Sequence, residues 1–190
     1  MKTALIAFSI SAILGGSVTA QQMAQGAPAQ AARSITTGSK LYYGLVKDWI
    51  TKGAAQMPEA NYSFQPTKDV RTFGQLIGHL ADANFMFCGN AGGTKGPAQS
   101  IEKTKTTKAD LEQALADSFA SCDKAWAAMN DKTAMTPAGA WPPGIPLPAM
   151  DYFSVLQFNT SHEAEHYGNI VTYFRLKGMV PPSSQGAGGA

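Results

Sequence analysis

The feature that most constrains this chain is a hydrophobic period of about 3.6 residues that returns in four separate segments, with no comparable run of strict alternation. The first segment runs from about Ser39 to Ala55 and places Tyr42, Leu45, Val46, Trp49 and Ile50 on one face. The second runs from about Thr72 to Gly89 and carries Phe73, Leu76, Ile77, Leu80, Ala83 and Phe87. Its opening, Thr72-Phe73-Gly74-Gln75, fits a capping box, in which the threonine oxygen and the glutamine each accept a free backbone N–H. The third, about Thr107 to Met129, aligns Leu111, Leu115, Phe119, Cys122, Trp126 and Met129 behind a similar cap at Thr107. The fourth runs from about Met150 to Lys177. Arg175 and Lys177 suit the negative end of its dipole, Gly178 can take a left-handed cap, and Pro181 forbids continuation. Asn61 to Val70 is irregular and Pro137 to Pro148 is a proline-rich loop. Four amphipathic helices without a sheet predict an all-α four-helix bundle.

The ends read differently. Lys2, an apolar run from Ala4 to Leu14, the break at Gly15-Gly16-Ser17 and the small residues Val18-Thr19-Ala20 have the order of a signal peptide over residues 1–20. The alternative, a membrane anchor, needs about 20 apolar residues, more than this run supplies. No stable membrane span is expected after cleavage, and the chain is read as exported to the periplasm or secreted. Residues 21–34, rich in Gln, Ala, Gly and Pro, are expected to form a flexible leader; residues 35–180 the bundle; and residues 181–190 a disordered tail. A length of 190 residues with 44% hydrophobic content suits one such domain. Fifteen Lys and Arg against 13 Asp and Glu, without a basic block, give no sign of a nucleic-acid partner.

Export changes the meaning of the two cysteines. In an oxidising compartment Cys88 and Cys122 are a candidate disulfide; otherwise they are two separate buried thiols. A bridge needs Cα atoms within about 7 Å. Because Cys88 ends the second helix and Cys122 lies late in the third, bonding them requires these helices to run parallel. The connection from Asn90 to Thr106 must then cross the length of the bundle, which about 3.3 Å per residue permits. The order would be up-down-down-up.

The informative stretch is Asn159-Thr160-Ser161-His162-Glu163-Ala164-Glu165-His166-Tyr167-Gly168. His162 and His166 stand four apart, so on a helix both rings leave one face about a turn apart. That spacing lets two imidazoles share a metal at about 2.1 Å each. Two hydrogen-bonded structural histidines are the alternative. The balance moves towards a metal because the stripe that carries them, with Tyr152, Val155, Asn159, Ile170 and Tyr173, faces inward, where unpaired polar groups are costly. The third and last histidine, His79, lies on the inner edge of the second helix. The same residues spell His-Glu-x-x-His, the zinc-protease motif, whose third ligand lies downstream. After His166 the chain has no Asp, Glu or His, so the third ligand must come from upstream, and His79 is the leading candidate.

The pattern Thr72-Phe73-Gly74-Gln75-Leu76-Ile77-Gly78-His79-Leu80-Ala81-Asp82-Ala83 resembles the histidine-bearing second helix of DinB-like proteins. Ser161 to Gly178, with its HxxxH pair, a following Gly168-Asn169-Ile170 and the ending Tyr173-Phe174-Arg175-Leu176-Lys177-Gly178, is similar to their last helix. The similarity spans roughly Leu41 to Pro182. It implies a four-helix bundle of up-down-down-up order, holding a divalent transition metal, zinc or nickel, on His79, His162 and His166. Some members are thiol transferases or mycothiol-dependent isomerases. Low-molecular-weight thiols are mainly cytosolic, so export argues against that role here.

Three neutral imidazoles leave a fourth position open for water or substrate, which is the catalytic rather than the structural pattern. Asn159 and Glu163 are the candidate catalytic groups, the first to orient a substrate and the second as a general base, although Glu163 points about 100° from His162. Glu165 and Asp82 are candidates for supporting or solvated roles, and Tyr167 and Trp141 for the mouth of the site or for plain packing. The expected function is a metal-dependent hydrolase or transferase acting on a small molecule. A metal-binding or sensing module without turnover, and a structural bundle without metal, are the competing readings. Bundles of this type pair through their helices, so a homodimer is a further expectation.

Overall fold

The computed structural model describes residues 34–92, 100–141 and 143–186. The expected signal peptide and all of the expected leader except Ser34 lie outside the described residues, as do the last four positions of the expected tail. The elements are α1 (Ile35–Gln56), α2 (Phe73–Ala91), a short α3 (Ile101–Thr104), α4 (Lys108–Ala128) and α5 (Tyr152–Leu176), with 3-10 turns at Glu59–Asn61 and Pro182–Ser184. Among the described residues extended pairing is confined to one bridge, Pro137 with Asp151. None of their helices is long and apolar enough to cross a membrane.

Local chemistry sets the helix ends. Thr72 and Gln75 form the reciprocal capping box expected of them, and Thr107 accepts from the Asp110 N–H. Gly178 has φ of 69°, and Met179 N–H reaches back to Phe174 O while Gly178 N–H reaches Arg175 O. These two bonds make a Schellman ending. Helix α1 begins earlier than its periodicity suggests because Ser34 caps it, accepting from the Thr37 N–H. Its buried face is also turned from the expected one. Tyr43, Val46 and Ile50 are buried, whereas Tyr42 and Leu45 are exposed.

The expected disordered tail is corrected over residues 181–186. Pro182 is buried, the Ser183 N–H donates to the Tyr167 hydroxyl at 2.8 Å, and Gln185 bonds to Gln56 at 2.7 Å. The segment has structure because Pro182 covers the apolar ground between α1 and α5 and its backbone finds a side-chain partner.

Three packings place the functional residues. Helices α2 and α5 pass in opposite directions: Phe73 meets Tyr173 and Phe174 at one end, and Phe87 meets Phe158 at the other. That register sets His79 opposite His166. Helices α2 and α4 advance together, since Gly74 lies against Leu111, Asn84 bonds Ser118, and Cys88 lies at bonding distance from Cys122 with Cα atoms 5.0 Å apart. The third is the seat of α3 on α2. The Asp82 carboxylate accepts from the backbone N–H groups of Ile101 and Glu102 at 2.9 and 3.0 Å. Gly78 makes room for it, because a Cβ there would lie 2.7 Å from Glu102 Cα.

Candidate metal centre

The three histidines meet. His162 Nε2 lies 3.2 Å from His79 Nε2 and 3.0 Å from His166 Nε2. One ligand atom from each ring lies within 4.8 Å of the others. Tetrahedral donors about 2.1 Å from an ion stand roughly 3.4 Å apart, so the spacing fits a shared metal.

The protonation state fits as well. Burial pushes His162 down to about 3, with the neighbouring His166 and His79 adding to the shift. Burial likewise pushes His166 down to about 4, and His79 is lowered by burial and then by the Arg71 guanidinium. At neutral pH all three rings are uncharged, and each has one N–H and one lone pair. If His162 Nε2 carries the proton, it can donate to only one of its two neighbours; if it carries the lone pair, the proton sits on the buried Nδ1, which has no partner. Either way the rings leave one buried polar group unsatisfied. A divalent ion accepts three lone pairs at once.

The outer nitrogens are held unequally. His79 Nδ1 lies 3.1 Å from Glu102 Oε2 and 3.2 Å from Arg71 Nη2, and Arg71 Nε donates to Glu102 Oε1 at 2.9 Å. His166 Nδ1 lies 3.2 Å from the Asn169 side-chain amide. His162 Nδ1 is buried and has no hydrogen-bond partner. Phe87 packs beside His162, and Trp141 stands edge-on to Phe87 with its indole N–H donating to Pro148 O. Trp141 therefore borders the centre through Phe87. Tyr167 stacks on Trp49 of α1, and its hydroxyl accepts from the Ser183 N–H.

Asn159 and Glu163, the expected catalytic pair, lie in a buried layer instead. Asn159 Nδ2 donates to Glu163 Oε1 at 3.0 Å and to Asn84 Oδ1 at 3.0 Å, and both cysteine sulfurs lie 3.7 to 3.8 Å from it. Glu163 is fully buried, and burial pushes its carboxyl up to about 8, against the pull of the Asn159 amide. Among the described residues neither side chain has a hydrogen bond to a histidine ring. Asp82 is the anchor of α3, and Glu165 is exposed on α5.

Periodicity could not find Glu102, Arg71 and Asn169. Glu102 sits in an aperiodic connection, and Arg71 directly precedes the α2 cap. The only trace of Glu102 in the sequence is indirect: Gly78 and Asp82 flank His79 and form the seat of α3.

A family model, that of the DinB superfamily, matches residues 50–170. Among solved structures, a DinB-like protein from Bacillus cereus ATCC 10987 superposes with a TM-score of 0.63 at 14% identity, covering 77% of this chain and 95% of that one. A conserved protein from Enterococcus faecalis superposes with a TM-score of 0.59 at 16% identity, covering 76% of this chain and 98% of that one. No curated protein matches the chain.

Proposed function

Because the chain belongs to the DinB superfamily, whose members bind divalent metals, we propose that it is an exported protein holding one divalent transition metal, zinc or nickel, on His79, His162 and His166. The observation that carries this is the meeting of three neutral imidazoles whose ring nitrogens cannot all be satisfied within the cluster. The proposal extends to catalysis: a hydrolase or transferase acting on a small molecule. Its support is the donor count, since the group of possible ligands among the described residues is three histidines with no fourth member. Structural zinc sites close their fourth position with protein, whereas catalytic ones leave it to water or substrate. When bound, the ion supplies a Lewis acid. The chain supplies the rest: neutral rings at neutral pH, an apolar side wall at Phe87, and an Arg71–Glu102 pair behind His79.

Asn159 and Glu163 are placed behind the histidines rather than among the reacting groups, because their hydrogen bonds run to Asn84 and to each other. An up-down-down-up order belongs to the same proposal. It is supported by the common direction of α2 and α4, by the opposite direction of α5, and by α1 running alongside α5, with Trp49 on Tyr167 and Gly53 against Ile170. Export is supported by the order of charge, apolar run and small residues over 1–20, and by two cysteines at bonding distance, which suits an oxidising compartment.

The test is metal analysis of untagged protein. About one divalent ion per chain is expected, with His162→Ala losing it. A variant that keeps its full complement of metal overturns the assignment. Chelator-sensitive turnover of small ester, amide or group-transfer substrates then separates an enzyme from a binding module.

A further inference from the structure

We infer that Glu102 is the positioning residue of this centre: it accepts the Nδ1 proton of His79 and thereby leaves Nε2 as a bare lone pair aimed at the other two rings. The inference rests on the metal reading above and deepens it.

His79 Nδ1 has two competing neighbours at nearly equal distance. It can donate to Glu102 Oε2 at 3.1 Å or accept from Arg71 Nη2 at 3.2 Å. The two choices put the proton on opposite sides of the ring. If Nδ1 accepts from Arg71, its lone pair also faces a carboxylate oxygen, and the proton sits on Nε2, on the side where a metal would bind. Both side chains of the His79–Glu102 pair are only 24% exposed, so water does little to relieve that repulsion. If Nδ1 donates to Glu102, both carboxylate oxygens are used, because Oε1 already accepts from Arg71 Nε. Arg71 then neutralises the carboxylate, and at 40% exposure its other N–H groups reach water. One donor–donor approach remains, Arg71 Nη2 to His79 Nδ1 at 3.2 Å, but the carboxylate that both groups bond offsets it, and the second arrangement prevails.

The scaffold holds Glu102 in this position. Its backbone and that of Ile101 are tied to Asp82, one turn along α2 from His79. Gly78 permits the approach, and buried Ile101 anchors α3 in the core. Arg71 is held from the other side by the Tyr173 hydroxyl, which donates to its carbonyl. Residues from α2, α3 and α5 thus converge on the orientation of one imidazole. Partners of this kind are worth about 10- to 100-fold in metal affinity.

Glu102→Gln tests the idea without changing shape. The single amide oxygen remains with Arg71, the amide N–H turns to His79 Nδ1, and the proton moves to Nε2. Long-range proton–nitrogen NMR of the metal-free wild type should show His79 protonated at Nδ1, and the variant should show it at Nε2. Co(II) titration followed by d–d absorption should give an affinity about 10- to 100-fold weaker in Glu102→Gln. Glu165→Gln, on an exposed carboxylate of α5, should stay near wild type. A wild-type His79 protonated at Nε2, or a Glu102→Gln variant that binds Co(II) as tightly as wild type, overturns the role of Glu102 alone. Wild-type protein that takes up no Co(II) overturns the metal reading and this role with it.

Discussion

His162 and His166 share less than two turns of α5 with Asn159 and Glu163, yet the two sets of polar groups are built to different ends. The layer of Asn159, Glu163, Asn84 and Ser118 has internal hydrogen bonds at 3.0 to 3.3 Å and lies against the two cysteines. The histidines meet nitrogen to nitrogen, with His162 Nδ1 unpartnered. Each set keeps orphans: Asn159 Oδ1 and Glu163 Oε2 in the layer, and His162 Nδ1 in the cluster, are buried without a hydrogen-bond partner. The layer is nonetheless tied together by its own donors, whereas the ring nitrogens cannot all be satisfied within the cluster and are costly until something outside the chain accepts their lone pairs. The comparison assigns stability to the layer and binding to the cluster.

The largest effect that can break this division comes from the cysteines. A bridge between Cys88 and Cys122 closes a loop of 34 residues. Such a closure is worth about 4 kcal/mol through the unfolded chain. Replacing both residues with alanine should lower unfolding free energy in urea by about that amount and leave Co(II) affinity within severalfold of wild type. Loss of metal uptake while the helices persist would show that the two regions are one unit.

Next in size is a pair of opposed substitutions. His166→Ala removes one of three donors and should weaken metal binding by about two orders of magnitude, roughly 3 kcal/mol if a few kcal/mol belong to each ligand. The metal-free fold should barely change. Asn159→Ala should do the reverse. It leaves Asn84 Oδ1 and Glu163 Oε1 without their donor. At about 1–3 kcal/mol per abandoned buried group, the expected stability loss is about 3 kcal/mol with metal affinity nearly intact. Equal effects of both variants on both readouts would dissolve the distinction.

What the sequence reveals follows the same division. The stripes of α2 and α4 are legible because every expected apolar position is buried, from Phe73 to Phe87 and from Leu111 to Met129. The stripe of α1 is ambiguous, because Tyr42 and Tyr43 are neighbours and periodicity cannot choose between them. Packing on Phe119 and Trp126 chooses Tyr43. The histidines are legible through scarcity, three in the chain and all on inward faces. Glu163 is not, because α5 packs between α1 and α2 and buries an arc wider than one stripe. A side chain about 100° from the ligand face is thus still inside. Helix α3 has four residues, too few to show a period, and tertiary contacts alone hold it.

The smallest expected effect also divides the regions most sharply, because their pH dependences have opposite signs. Glu163 is raised from 4.5 to about 8 by burial. The folded chain therefore holds a proton that the unfolded chain has lost, and this contribution, complete below pH 4.5, disappears as pH rises through 8. His162 and His166 are lowered from 6.5 to about 3 and about 4. Their contribution is complete above pH 6.5 and is lost on acidification, as the unfolded chain takes up protons that the folded one refuses. Between pH 6.5 and 8 only the carboxyl acts among these three, with a slope of at most about 1.4 kcal/mol per pH unit. Metal-free protein should therefore lose on the order of 2 kcal/mol across that window in urea titrations. Glu163→Gln should flatten the alkaline limb while the acid limb, which belongs to the histidines, persists. An alkaline limb unchanged in Glu163→Gln would mean that the carboxyl does not hold its proton inside the fold, and the opposite pH signs of the two regions would vanish.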